Sequence, residues 1–282
     1  MPSQTPLRPP RGGRRVAFAG ALSAFAVAAS AVNASASIAV SSNWSGYAVT
    51  GTTFSTVSGS WAQPNARCSA SAVDTTASAF WVGLGGEAGS SNALEQTGTE
   101  ADCLPNGTIR YSAWYELVPR ASVRISLKVS AGDLISASVS VSGTSVTLRL
   151  SNLTTHMAFA KTLKLSAPDI SSAEWIAEAP SAVTPGGTNV LPLTDFGTVR
   201  FSKATARSTG GHRGTISDPN WSASRIELES TGSAGGPRPF SPFAAYDVGA
   251  TRAIPTVLAS GGDAFSVTYR EDTSAAAQTS TA

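Results

Sequence analysis

The chain has 282 residues, with 20 Lys+Arg against 18 Asp+Glu, two cysteines and two histidines. Four arginines and no acid fall within the first 36 residues, so the remainder carries 16 basic against 18 acidic groups, a net of −2. No basic patch interleaved with aromatics is left to bind nucleic acid. His156 and His212 stand in no HExxH-like spacing and in no recognisable Ser-His-Asp context, which argues against a metal centre and a serine peptidase.

Arg8, Arg11, Arg14 and Arg15 precede an apolar, alanine-rich run from Val16 to Val32, and Ala34-Ser35-Ala36 follows. A basic start, a short apolar stretch and a small-x-small site read as a secretory signal peptide over residues 1–36. The run is at the short end for a membrane span, and no stop-transfer cluster follows it. An uncleaved anchor is the alternative, and Arg14-Arg15 leaves a twin-arginine route open beside the general one. The expected product is a secreted monomer with no membrane contact once the signal is removed. Residues 37–271 are long enough for one β domain with a substantial core. Residues 272–282, rich in Ser, Thr and Ala, have nothing to bury and are expected to be disordered.

The strand signal recurs along the rest of the chain. Val123, Ile125, Leu127 and Val129 alternate with Arg124, Ser126 and Lys128, the period of a half-buried strand. Ser130-Ala131-Gly132-Asp133 turns the chain into a run from Leu134 to Val141. Ser142-Gly143-Thr144-Ser145 then turns it into Val146, Leu148 and Leu150. That predicts a meander of three strands. Segments 196–201, 225–229 and 264–269 read as further strands, and Asp218-Pro219-Asn220-Trp221 as a turn. Past the signal segment, no apolar period of 3.6 persists over 11 residues. Many short strands with Gly/Ser turns predict an all-β antiparallel sandwich or barrel. Cys68 and Cys103, both in the exported part, predict a disulfide worth about 3–4 kcal/mol. A two-cysteine metal site would need ligands that the chain does not supply.

Strand periodicity also sorts side chains onto faces. Ser112, Trp114 and Glu116 share one face, opposite Tyr111, Ala113 and Tyr115. Glu174, Ile176 and Glu178 share another, opposite Trp175 and Ala177. Such acids fit the solvated side of an ordinary strand. They equally fit the concave face of a sandwich where an extended chain lies.

Five segments decide between these. Asn43-Trp44-Ser45-Gly46, Trp81-Val82-Gly83, Leu94-Glu95-Gln96-Thr97-Gly98, Ala113-Trp114-Tyr115-Glu116 and Ala173-Glu174-Trp175-Ile176-Ala177-Glu178 occur in the same order as in the glutamic peptidases, or eqolisins, which this chain resembles from about residue 41 to 270. The resemblance implies a concanavalin A-like, jelly-roll type β-sandwich with a concave substrate face. It implies an endopeptidase acting on protein or peptide substrates, without a cofactor, best in acid. It makes Gln96 and Glu178 the catalytic pair, with Trp44, Trp81, Trp114 and Glu116 lining the cleft. A carboxyl and a carboxamide can divide such work, the acid moving protons and the amide donating to a developing oxyanion. An apolar wall such as Trp81 is expected to raise the pKa of Glu178.

Three positions depart from the fungal pattern: Gly85 and Ser112 stand where it has acids, and Glu100 where it has Asp. The short spacing between the cleavage site and Asn43 implies a form without a separate inhibitory pro-segment. A glycoside hydrolase using two carboxyls such as Glu116 and Glu178, or a non-catalytic carbohydrate-binding sandwich, are the alternatives that the residues leave open.

Overall fold

Short alternating segments bury one side only, and their backbone groups must find partners on neighbouring strands. The computed structural model describes residues 36–87, 93–184, 187–229 and 251–271, all within one compact unit, Asn33–Ala282. The expected disordered tail lies outside the described residues, as does the expected signal segment up to residue 35.

In chain order the described strands are β1 (Ser37–Ser41), β2 (Trp44–Thr50), β3 (Phe54–Ala62), β4 (Thr76–Leu84), β5 (Leu94–Cys103) and β6 (Ile109–Val118). Next come β7 (Val123–Ile125), β8 (Leu134–Ser142), β9 (Ser145–Asn152), β10 (Met157–Lys164), β11 (Ala173–Glu178), β12 (Ser181–Thr184) and β13 (Gly187–Val190). The last are β14 (Thr198–Ser208), β15 (Arg213–Thr215), β16 (Ser222–Glu229), β17 (Thr251–Pro255) and β18 (Phe265–Tyr269). One sheet runs β10-β9-β8-β3-β14-β18-β17-β16-β2-β11-β4-β5-β6-β7, with β1 beside β16 and β15 beside β14; β12 and β13 form a separate hairpin. The strand pairings are antiparallel apart from β1 on β16.

The sheet curls until one half covers the other, giving the two layers of a sandwich. Trp175 of β11 donates its indole N–H to the Ser58 carbonyl of β3 at 2.8 Å, and Trp61 of β3 donates to Thr99 Oγ1 of β5 at 3.0 Å. Near the two ends of the path Tyr115 of β6, the last strand but one, stacks on Phe159 of β10, with ring centroids 5.9 Å apart. The enclosed core takes Phe80, Val82 and Leu84 from one layer and Val57, Val139 and Leu148 from the other. Each such side chain contributes about 1.5–3 kcal/mol of hydrophobic stabilisation.

The meander exists but is shifted by one strand. It consists of β8, β9 and β10, and the expected first member does not belong to it. Strand β7 pairs instead with β6, at the far end of the sheet, and ends at Ile125. Beyond it, Asn152 Nδ2 donates to the Lys128 carbonyl at 3.0 Å, and the Ser130 N–H donates to Asp133 Oδ2 at 2.8 Å. The alternation through Leu127 and Val129 arises because these two side chains reach the core from extended chain without a ladder. The strand expected from Phe196 begins at Thr198, because Gly197 takes φ 65° and the Asp195 carboxylate accepts its N–H at 2.8 Å. Cys68 and Cys103 form the expected disulfide, with Cα atoms 5.3 Å apart.

Candidate active site

Opposite the core, strands β2, β11, β4, β5 and β6 present a second face, and three cross-strand rows organise it. The middle row is Gly46, Ile176, Trp81, Gly98 and Trp114. On one side lies the row Trp44, Glu178, Ala79, Glu100 and Ser112. On the other lies Ala48, Glu174, Gly83, Gln96 and Glu116. All six expected site residues therefore share one face, Gln96 and Glu178 on either side of the Trp81 row. Trp44, Trp81, Trp114 and Ile176 form an apolar cluster separate from the main core. Trp44 meets Trp81 edge to face, with centroids 5.0 Å apart.

Glu178 ends β11, half-buried among donors. Trp81 Nε1 donates to Oε2 at 2.7 Å and Asn43 Nδ2 to Oε1 at 3.0 Å, while the Trp44 side chain is a further donor. Burial, then the charge of Glu116, push its pKa up to about 8 against these donors. Gln96 is buried on β5. Its Nε2 donates to Glu116 Oε2 at 2.9 Å, directly across the β5–β6 ladder. Its Oε1 is buried and accepts no hydrogen bond from the described protein groups. Burial raises Glu116 to about 7, opposed by the Gln96 bond and assisted by the charge of Glu100.

Trp81 differs from its expected part. It is 0 % exposed, so in this structure it serves the Glu178 carboxyl and presents no open surface to a ligand. Its environment raises the pKa of Glu178 while its own N–H lowers it. Gly98, across the ladder, makes room for it: a Cβ there would lie 2.6 Å from Trp81 Cβ and 2.2 Å from the Phe80 carbonyl oxygen. Asn43 was part of a recognised segment without an assigned role; the signal was its place directly before Trp44. Its backbone N–H donates to Ser41 Oγ at 3.3 Å, and so does the Trp44 N–H at 3.0 Å, which fixes the bend between β1 and β2.

The three departures from the fungal pattern have structural counterparts. Glu100 and Ser112 face each other across β5–β6, and Ser112 Oγ donates to Glu100 Oε2 at 3.0 Å. A serine there satisfies a carboxylate where a second acid would repel it. At Gly85, with φ 85°, a Cβ would fall 2.5 Å from Asp169 Cβ. Asp169, from the segment before β11, accordingly brings a carboxylate to this corner, where its Oδ2 accepts the Gly86 N–H at 3.2 Å. Beside it Glu95 and Glu174 are fully buried; burial raises Glu95 to about 8 and Glu174 well above the usual carboxyl range.

The Peptidase A4 family profile matches residues 42–233. The chain belongs to the Peptidase A4 family. Its members are the glutamic peptidases, hydrolases of peptide bonds. The chain is 30% identical to Aspergillopepsin-2 of Aspergillus niger over 191 residues, covering 60% of this chain and 66% of that protein. It is 40% identical to Scytalidopepsin B of Scytalidium lignicola over 124 residues, 43% of this chain and 44% of that protein. The matches thus span less than two thirds of either relative. The crystal structure of scytalido-glutamic peptidase with a transition state analog inhibitor superposes with a TM-score of 0.63 at 26% identity, covering 81% of this chain and 98% of that one.

Proposed function

We propose that this chain is a secreted endopeptidase, most active in acid, in which Glu178 and Gln96 activate water against a peptide carbonyl. The observation that carries the reading is the shared face of these two groups: a carboxyl held by Asn43, Trp44 and Trp81, and an amide with its Oε1 unpaired. Ionised Glu178 takes a proton from water as the water oxygen bonds to the carbonyl carbon. It then passes that proton to the departing amine as the C–N bond breaks. Gln96 Oε1 accepts from the attacking water, and its second Nε2 hydrogen is a donor for the oxyanion.

The buried acids beside the site support acid, although burial, the larger cause of the raised pKa of Glu178, leaves only a fraction of that carboxyl ionised there to act as base. Glu95 and Glu174 are held neutral by burial, which suits a fold at low pH. Export follows from residues 1–36 read as a signal peptide. Peptides are the proposed substrates, by analogy with the relative that binds a transition state analog inhibitor.

The test is hydrolysis of a denatured protein from pH 2 to 7, with Glu178→Gln alongside. Cleavage in acid, insensitive to pepstatin and abolished by the substitution, is expected. Folded protein that cleaves nothing, or a Glu178→Gln variant with unchanged turnover, would sink the proposal.

A further inference from the structure

We infer that Glu116 is a positioning residue for the Gln96 amide rather than a contact for substrate. The inference rests on the proposed role of Gln96 as oxyanion donor and says how that amide is held the right way round. A primary carboxamide has nearly the same shape in its two flipped orientations, and only its neighbours tell oxygen from nitrogen. Gln96 lies 4 % exposed, so bulk water does little to choose between them. Its neighbour across β4–β5 is Gly83, which has no side chain to make the choice.

Across β5–β6 the neighbour is Glu116, whose Oε2 accepts from Gln96 Nε2 at 2.9 Å. A carboxylate oxygen accepts only. A flipped amide would set Gln96 Oε1 against it, acceptor on acceptor, and lose a bond to a group that is itself largely buried. With Nε2 engaged, one hydrogen of the amide is committed to Glu116 and the other is left to donate, while Oε1 faces a site without a protein donor. A neutral Glu116 can donate from one oxygen while accepting at the other, so it selects this orientation only with its proton on Oε1, and the selection is strict where Glu116 is ionised. Glu116 thus acts through Gln96, and its removal should be felt in turnover rather than in binding.

Steady-state kinetics on one peptide substrate test this with Glu116→Leu, Glu116→Ala, Glu116→Gln, Gln96→Ala and the double variant Gln96→Ala/Glu116→Leu. Glu116→Leu is expected to lower kcat by about 10–100-fold with KM changed less than about threefold, since misplacing a catalytic group costs up to that much. Glu116→Gln retains an acceptor opposite Gln96 and should recover most of the loss. The double variant should be no slower than Gln96→Ala alone, because nothing remains to be positioned. If Glu116→Leu does not fold, Glu116→Ala, at a partly exposed site, supplies the same comparison. A raised KM with kcat intact, or losses that multiply in the double variant, would make Glu116 an independent substrate contact and overturn the inference. Full turnover in Gln96→Ala would instead overturn the proposed role of Gln96 on which it rests.

Discussion

Trp81 Nε1 donates to Glu178 Oε2 at 2.7 Å, so one indole both walls the carboxyl from water and stabilises its ionised form. These two effects oppose each other. Burial is the larger, since the pKa still rises to about 8. The N–H keeps a general base available within a largely apolar cluster, a compromise that a phenyl ring could not provide.

Trp81→Phe therefore keeps most of the wall and deletes the donor. Hydrogen bonds to charged groups contribute about 1.5–3 kcal/mol, so the pKa of Glu178 should climb further. Across the acid range the ionised fraction of Glu178, and kcat/KM with it, should fall as that pKa climbs. Activity at a fixed pH there falls about tenfold per unit of pKa gained. A pH–rate profile of both proteins checks this; kcat/KM unchanged through the acid range would show that the indole N–H does not support the ionised carboxyl.

Glu95 and Glu174 tie stability to pH. Both are fully buried, with folded-state pKa values raised above the ordinary 4.5, Glu95 to about 8. Below about pH 4.5 both are protonated in folded and unfolded chains alike, and burial of their charge costs nothing. As pH rises toward 8 the unfolded chain ionises freely while the folded one does not, so stability drains away. For Glu95 a pKa difference of this size is worth on the order of a few kcal/mol. Thermal unfolding from pH 3 to 8 should give the highest Tm at the acid end, and Glu95→Gln should flatten the decline. A Tm that rises toward neutral pH would contradict this account.

Gly98 separates packing from chemistry. Gly98→Ala puts a methyl 2.2 Å from the Phe80 carbonyl oxygen and 2.6 Å from Trp81 Cβ. Backbone on one side and a fully buried indole on the other leave nowhere to yield, so about 3 kcal/mol of stability should be lost. Whatever folds should have a displaced Trp81 and weakened turnover. Chemical denaturation measures the first effect and kcat the second; an alanine variant of native stability would show that the strands can separate here without cost.

Much of the site was legible because period-two alternation is local. It set Trp114 with Glu116 and Ile176 with Glu178 on their faces before any strand had a partner, and it put Trp175 on the opposite face, which the structure turns into the core. The ordered segments around Trp44, Trp81, Gln96, Glu116 and Glu178 carried the family. Recurrent short alternating segments and a single cysteine pair pointed to a β domain with one disulfide. Pairing was not legible, since β7 and β8 are neighbours in sequence but bond to β6 and to β3 and β9. An extended segment alternates in the same way whether or not a ladder receives it, as Leu127 and Val129 do. Nor could local pattern reveal that Asp169 fills the corner at Gly85, that Ser112 answers Glu100, or that Asn43 reaches Glu178 from 135 residues away. Those contacts depend on register between distant strands, which the whole curled sheet decides together because only one register buries every inward face at once.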